Sequence, residues 1–440
     1  SPIDISTAVI TALHHHPVIS RALELSRSDH FNEDIDHLTE QLSTVPLLLR
    51  IMELSSIADL DVEKMLSKIR QAMLHKAASG GGEAHGLPFY AALAMHCFTN
   101  EYIFFESKEE KQEIELLQEN VKFILGKAGT ISPASIAVLG AYRPLNSFSW
   151  ANALLKTEWP DEIKKVIVRQ VDNVREEQAL HSKIPRLSLI DDKVSKLVRN
   201  QYEENPYPRW INTGLSDKPK TISQVLKPLK LDLNLEEQQF SNNPNILIAG
   251  CGTGQHALST ASRFLGCNVL AIDLSLTSLS YAKRKTQELG LKNIEYMQGD
   301  ILKLDQLERE FDIVESVGVL HHMDDPLAGW EVLVGKLRVD GVMKIGLYSE
   351  IARESITNAR REIAKKEYTS SPDDIRRYRE EIMSMDANSN PETAKFTSYH
   401  DFFTLSECRD LLFHVQEHRF TLLQIQKALN ELGLKFLGFE

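Results

Sequence analysis

Residues 250–254 read Gly-Cys-Gly-Thr-Gly, and an aspartate, Asp273, follows at a fixed remove. Glycines at this spacing let a ligand approach main chain that side chains would otherwise block, and some such turn positions call for a positive φ. An acid roughly twenty residues downstream can hold two ribose hydroxyls. The chemistry these residue types offer is that of cradling a nucleotide. A glycine-rich turn by itself says little; the elements that must position it say more.

Asn245 to Ala249 is a short apolar run with the character of a buried strand, and it empties directly into the glycine turn. A helical pattern follows from about Gln255 to Leu265, completing a strand–turn–helix unit. The motif then repeats in order. Asn268 to Ile272 ends on Asp273, and Ile294 to Asp300 ends on a second acid. Phe311 to Ser316 runs into Val317 to Pro326, and Gly341 to Leu347 ends at Tyr348.

This series, from about Asn243 to Ser349, resembles the class I S-adenosylmethionine (SAM) methyltransferases, in which the glycine motif takes the form GCGTG. The resemblance covers about a quarter of the chain. It implies that Gly250, Gly252, Thr253, Gly254 and Gln255 border SAM and that Asp273, with Leu274, takes the ribose. It implies that Asp300 and Ile301 bracket the adenine. The segment opening with Ser316 and Val317 and closing at His322 would face the methionine part and the acceptor. S-adenosylhomocysteine would be the product, and no metal is expected. A dinucleotide dehydrogenase of related topology is the alternative; GCGTG and Leu320 to Pro326 (LHHMDDP) fit a methyltransferase better.

Methyl transfer from a sulfonium is an in-line displacement, so the protein mainly holds donor and acceptor aligned in a dry pocket. A general base is needed only for an acceptor that arrives protonated. His321 closes the loop after the fourth strand and is the residue expected at the reacting centre, orienting the acceptor or taking its proton. His322 is expected to point away, and Tyr348, at the carboxyl edge of the fifth strand, is the second catalytic candidate. The fourth-strand segment lacks the Asn/Asp-Pro-Pro-Tyr/Phe motif of enzymes acting on DNA amines or glutamine amides. It looks like the broad group acting on metabolites, quinones, lipids, or peptide and protein groups.

Two further stretches are expected to hold the acceptor. In Gln201 to Trp210 (QYEENPYPRW) the prolines end a helix and stiffen an extended segment, placing Tyr202, Tyr207, Arg209 and Trp210 just upstream of the first strand. In the methyltransferase family such a segment folds over cofactor or acceptor. This string also resembles a bacterial group in which tetratricopeptide repeats precede the methyltransferase domain; such repeats are not visible in this chain. After Tyr348 comes a helical insertion, at about 350–420. Within it Arg409, Asp410, His414, Glu417 and His418 are spaced to share one helical face, and Arg409, His414 and His418 are taken as acceptor contacts.

The expected fold is a Rossmann-like α/β class I methyltransferase domain (243–440) carrying that insertion after its fifth strand. An all-α domain (1–200) and a connector and lid segment (201–242) precede it. Helical patterning recurs at Ile3 to Leu13, Pro46 to Leu54 and Val62 to Ala77, the last capped by Asp59. Leu87 to Phe105, Glu106 to Leu125, Ser132 to Leu139 and Trp159 to Gln178 continue it, with a flexible loop expected at Ser79 to Gly82. His14 to His16 lie inside a helical pattern and point different ways. His96, Cys97, Asn100 and Glu101 are expected buried and hydrogen-bonded, and Glu109 to Lys111 on a solvated face. Thr421 to Leu432 is expected helical and Lys435 to Glu440 a strand. A further antiparallel strand normal for the fold is missing, and the expectation is that the native chain continues.

The 440 residues carry a net charge of −12, which argues against a generic nucleic-acid or anionic-membrane partner. The four cysteines show no pairing or zinc spacing, which suits a reducing, cytoplasmic setting. The oligomeric state is open. The acceptor is expected to be a protein or peptide, the alternative being a small metabolite. A scaffold that binds SAM without catalysis is the reading of another class; a degenerate glycine motif would favour it, and none is seen.

Overall fold

The computed structural model describes residues 2–28, 35–80, 85–127, 129–235, 238–385 and 395–440. The chain forms two compact units, each of two chain segments. One is Ser1–Arg175 with Arg361–Phe413; the other is Glu176–Arg360 with His414–Glu440. These ranges differ from the expected ones: 176–200 belongs with the second unit and 361–413 with the first.

The second unit is built on a parallel sheet of five strands, β1 (Asn245–Ala249), β2 (Asn268–Asp273), β3 (Ile294–Gln298), β4 (Phe311–Val317) and β5 (Leu337–Gly346), ordered β3-β2-β1-β4-β5. Side chains alternate across a strand. Ile246 and Ile248 join Val269, Ala271, Leu279 and Ala282 on one face, while Leu247 and Ala249 join Leu270, Ile272, Val314 and Trp330 on the other. Both faces are covered, which is why β1 and β2 read as unbroken apolar runs. The order reverses between β1 and β4, and open parallel sheets bind ligands at the carboxyl ends of the strands flanking such a reversal.

The expected helix is Leu422–Glu431, and Thr421 caps it: the Thr421 hydroxyl and the Gln424 side chain bond each other's main-chain amides. Lys435 to Glu440, expected as a strand, is not one. Gly438 has φ +147°, and the Leu437 carbonyl accepts from the Asp232 amide at 2.7 Å rather than from a strand.

The first unit is helical, with Leu87–Thr99 at its centre, packed against Ile35–Ser43, Pro46–Leu54, Pro133–Tyr142 and Asp161–Ile167. The Gln170 side chain, in a π-helical turn (Val168–Asp172), donates to the Ala94 and Gly140 carbonyls and accepts from the Leu145 amide. The Asp59 carboxylate caps Leu60–Ala78 by accepting from the Val62 amide at 2.9 Å. Residues 81–84, which take in the second half of the loop expected at Ser79 to Gly82, and 386–394 lie outside the described residues.

Two expectations for this unit need correction. The central helix stops at Thr99 instead of reaching Phe105. Glu101 and Tyr102 take positive φ, which turns the Asn100 carbonyl to the Leu405 amide and the Glu101 carboxylate to the Ser406 amide. Glu110 is not solvated: it is 5% exposed, closes the capping box with Ser107, and accepts from the Tyr142 hydroxyl at 2.6 Å. The segment Arg361–Phe413 is anchored by Arg379, fully buried, which pairs with Glu63 at 2.9 Å and donates to the Phe402 carbonyl. His96, Cys97, Asn100 and Glu101 are all buried, and burial lowers the His96 imidazole to about 4, keeping it neutral.

Candidate active site

The glycine turn follows from β1 being buried and parallel: the chain must leave the sheet and enter the helix Gln255–Arg263 within a few residues. Gly250, Gly252 and Gly254 have φ of +80°, +52° and +85°. A Cβ on Gly252 would stand 2.4 Å from the Tyr207 carbonyl oxygen, and one on Gly254 would stand 2.5 Å from the Ala282 Cβ. Both torsion and space therefore demand glycine. Gln255 begins the helix and Gly254 precedes it.

Asp273 ends β2 beside this turn. Its carboxylate accepts from the Gly252 amide at 2.8 Å and from the Ser275 amide at 2.9 Å. Burial pushes this carboxyl up to about 6, with the Glu203 charge adding to the rise, while the Ser275, Gly252 and Leu274 amides oppose it. Glu203 itself caps the helix Leu276–Glu288, accepting from the Leu276 and Thr277 amides. The Leu274 carbonyl accepts from the Gln298 side chain. Asp300 accepts from the Leu302 amide through one carboxylate oxygen, while the other is buried without a hydrogen-bond partner among the described residues. Ile301 is buried beside it in the apolar layer. Ser316 is buried and its hydroxyl donates to the Ala249 carbonyl, tying β4 to β1; Val317, one residue on, is exposed.

The segment upstream of β1 lies on the glycine turn. The Thr253 amide donates to the Tyr207 carbonyl at 3.2 Å, and its hydroxyl donates to the Pro208 carbonyl and accepts from the Trp210 indole. Trp210 packs edge-on to Tyr281, whose hydroxyl donates to the Trp210 carbonyl. The Arg209 guanidinium lies 5.9 Å from the same tyrosine ring. Trp210 and Arg209 thus wedge the segment against the helix Leu276–Glu288, while Tyr207 presents its main chain to the turn.

From Tyr207 a row of rings runs to the ends of β4 and β5. Tyr207 lies 6.2 Å from Tyr202, and the Tyr202 hydroxyl is 3.2 Å from a His414 ring nitrogen. His414 stacks on His322 at 3.6 Å, His322 meets His321 at 4.3 Å, and His321 stacks on Tyr348 at 3.8 Å. The Arg353 guanidinium covers the Tyr348 ring at 3.9 Å. His322 was expected to point away and does not; it is buried within this row and bonds the Gln416 carbonyl.

His321 is fully buried. Burial lowers its imidazole to about 2, helped by His322, Arg353 and His414; the Gly346 backbone acts weakly the other way. Neither ring nitrogen completes a hydrogen bond among the described residues. His414 is likewise held well below the usual range by burial, His322 and Arg360. Both imidazoles are neutral, so this centre can accept a hydrogen bond but takes up a proton poorly.

The five residues expected on one helical face are not on one. The helix Leu405–Phe413 stops before His414, and Arg409 and Asp410 belong to the helical unit, where Arg409 donates to the Ser370 hydroxyl. Beyond Phe413 the chain is extended, because its amides pair elsewhere: His418 donates to the His321 carbonyl and Phe420 to the Tyr348 carbonyl. The His418 ring bonds Gln416. The Glu417 side chain, only 1% exposed, accepts from Arg353 and from Arg360, and Arg419 stands 3.9 Å away. Arg353 and Arg360 were missed in the sequence because nothing in their own helical pattern points to an acid more than fifty residues later.

The family described as "Methyltransferase domain" matches residues 246–341. An uncharacterized protein of Synechococcus sp. is 31% identical over 204 residues, 44% of this chain and 48% of that protein. The ubiquinone biosynthesis O-methyltransferase of Actinobacillus pleuropneumoniae is 31% identical over 139 residues, 30% of this chain and 57% of its own length. Among solved structures, PKMT2 from Rickettsia typhi in complex with AdoHcy aligns with 49% of this chain and 44% of its own, at 22% identity and a TM-score of 0.40. The chain thus spans about half the length of these curated relatives. No helix among the described residues is long and apolar enough to cross a membrane. The family match, the glycine turn at the β1/β4 reversal and the acid ending β2 make residues 246–341 a SAM-dependent methyltransferase domain.

Proposed function

We propose that the protein transfers a methyl group from SAM to an acceptor held at the carboxyl ends of β4 and β5. The observation that carries this is the glycine turn closed on Asp273, a cradle that a single Cβ would fill. The residues present fit the cofactor. Asp273 keeps acceptor capacity for ribose hydroxyls beyond its two amide bonds, and the unpartnered Asp300 oxygen offers an acceptor toward the adenine side. Ile301 and Leu274 flank these acids, and Ser316 and Val317 lead from β4 towards the methionine end.

SAM supplies a methyl group already activated on a sulfonium. What remains for the chain is positioning and exclusion of water. Tyr207 and Trp210, latched to Thr253, cover the turn. His321, neutral and lacking a hydrogen-bond partner among the described residues, orients the acceptor by accepting a hydrogen bond, and Tyr348 holds the His321 ring by stacking. Tyr202, His414 and His418 extend the acceptor wall; Arg409 lies in the helical unit and is left out of it.

A protein or peptide is the first reading for the acceptor, because a whole helical unit accompanies the domain. A small molecule is the second, favoured by the buried, ring-lined row and by the ubiquinone-pathway relative. Incubation with methyl-labelled SAM and an extract of the source cell tests both. Label on a polypeptide supports the first and label among small molecules the second. Label in neither, with SAM binding confirmed separately, favours a non-catalytic scaffold.

A further inference from the structure

The row of rings ends in an excess of positive charge. Arg353 and Arg419 have one carboxylate partner among the described residues, and it is the same one, Glu417. Arg360 donates to that carboxylate too. One buried acid therefore faces three guanidinium groups. Arg353 is fixed, its side chain 9% exposed, bonded to both Glu417 oxygens and laid over the Tyr348 ring. Arg419 is different: it stands 3.9 Å from Glu417, beyond hydrogen-bond distance, and a third of its side chain is exposed. A guanidinium presents five donors in a planar fork, and Arg419 spends none of them on Glu417. The main chain holds it in place, because Phe420 and His418 on either side donate to the Tyr348 and His321 carbonyls. The main chain that carries this planar cation is thus pinned next to the two residues placed at the acceptor, and the guanidinium itself stands beside the Glu417 carboxylate.

Resting on the methyl-transfer reading, we infer that the acceptor carries an anionic group, a carboxylate or phosphate, which Arg419 receives while Arg353 and Glu417 hold the surrounding charge in register. The methylated atom is a separate group, placed over the His321 and Tyr348 rings. Burial above all, with His322 and Arg353 adding to it, keeps His321 and His414 neutral, so the acceptor meets a hydrogen-bond acceptor beside the positive charge. Glu417 is needed because Arg353 would otherwise be a buried cation without a counterion.

The test begins by passing a source-cell extract over an anion-exchange resin at neutral pH. The retained and unretained pools are then each incubated with the full chain and methyl-labelled SAM. The expected result is label from the retained pool, with Arg419→Gln lowering the rate about tenfold at sub-saturating acceptor, the loss of one charge-assisted pair. Binding of S-adenosylhomocysteine by Arg419→Gln is expected to match wild type, which shows that the variant folds. Label only from the unretained pool, or an unchanged Arg419→Gln rate on the retained pool, overturns the anionic acceptor and leaves methyl transfer standing. Label from neither pool overturns methyl transfer itself, and the anionic acceptor with it.

Discussion

The Gly252 amide donates to the Asp273 carboxylate at 2.8 Å, joining the glycine turn to the end of the neighbouring strand. The residue that shapes the cradle and the residue that would hold the ribose are thus one hydrogen-bonded unit. Replacing Asp273 by Ala removes both the acceptor and this brace. S-adenosylhomocysteine affinity, measured by titration calorimetry, is expected to fall by about a hundredfold or more, since hydrogen bonds to a charged group are worth about 1.5–3 kcal/mol each. Retained affinity would show that the ribose binds elsewhere.

The raised Asp273 carboxyl gives a pH signature with two opposite signs. Ribose hydroxyls donate, so they prefer the ionised form, and affinity should fall about tenfold per unit below pH 6. The free protein behaves the other way. Its native carboxyl holds a proton more tightly than the unfolded one, so this residue's contribution to stability grows as pH falls from about 6 towards 3.8. Affinity and melting temperature measured across pH 4.5–7.5, roughly the window in which this group titrates, should therefore diverge. A parallel fall in both would remove Asp273 as the cause.

Gly252→Ala forces a Cβ to 2.4 Å from the Tyr207 carbonyl oxygen at a φ of +52°. The turn and the covering segment cannot both stay. The expected outcome is a destabilisation of about 1–3 kcal/mol with changed Trp210 fluorescence and weakened cofactor binding. Unchanged emission would mean that the segment does not rest on the turn.

His321 should leave no mark on the pH dependence of the rate near neutrality. With its imidazole lowered to about 2, the pH–rate profile at saturating SAM is expected to show no rising limb between about pH 5 and 8 that disappears in His321→Asn. The variant should instead raise the acceptor KM more than it lowers kcat. A limb near the ordinary histidine value, lost in the variant, would make His321 a base.

Glu63→Ala leaves Arg379 buried without its carboxylate. Breaking such a pair costs about 3–5 kcal/mol, so a marked loss of stability in denaturant unfolding is expected. An effect below about 1 kcal/mol would put the pair in the class of surface ion pairs.

The strands were legible because a parallel sheet buried on both faces writes itself as short apolar runs, and each of the first three ends at a glycine or an acid. The start of β5 was not. It begins at Leu337, ahead of the expected Gly341, because exposed Asp340 with positive φ and polar Arg338 interrupt the apolar pattern. The places of Gly250 to Gly254, Asp273 and Asp300 at the strand ends were legible in the strand order. The packing around His321, His322 and His414 was not, since it is assembled by long-range pairing. His414 to His418 repeats at helical spacing, yet its amides are claimed by the carbonyls of His321 and Tyr348. Glu110 looked like one more surface charge because its partner, the Tyr142 hydroxyl, lies a helix away. Periodicity reports which face of an element is buried and is silent on which distant group satisfies a buried charge.

The Glu63–Arg379 pair joins positions 316 residues apart, across the whole Rossmann sheet in chain order. During synthesis, the first helices leave the ribosome long before the segment that neutralises Glu63 exists. The five strands emerge in between, so the nucleotide-binding unit can order its sheet while the helical unit still waits for residues 361–413. Contacts so remote in sequence form late and slow folding. The helical unit is therefore the part of this protein most dependent on protection from aggregation while the chain is being made.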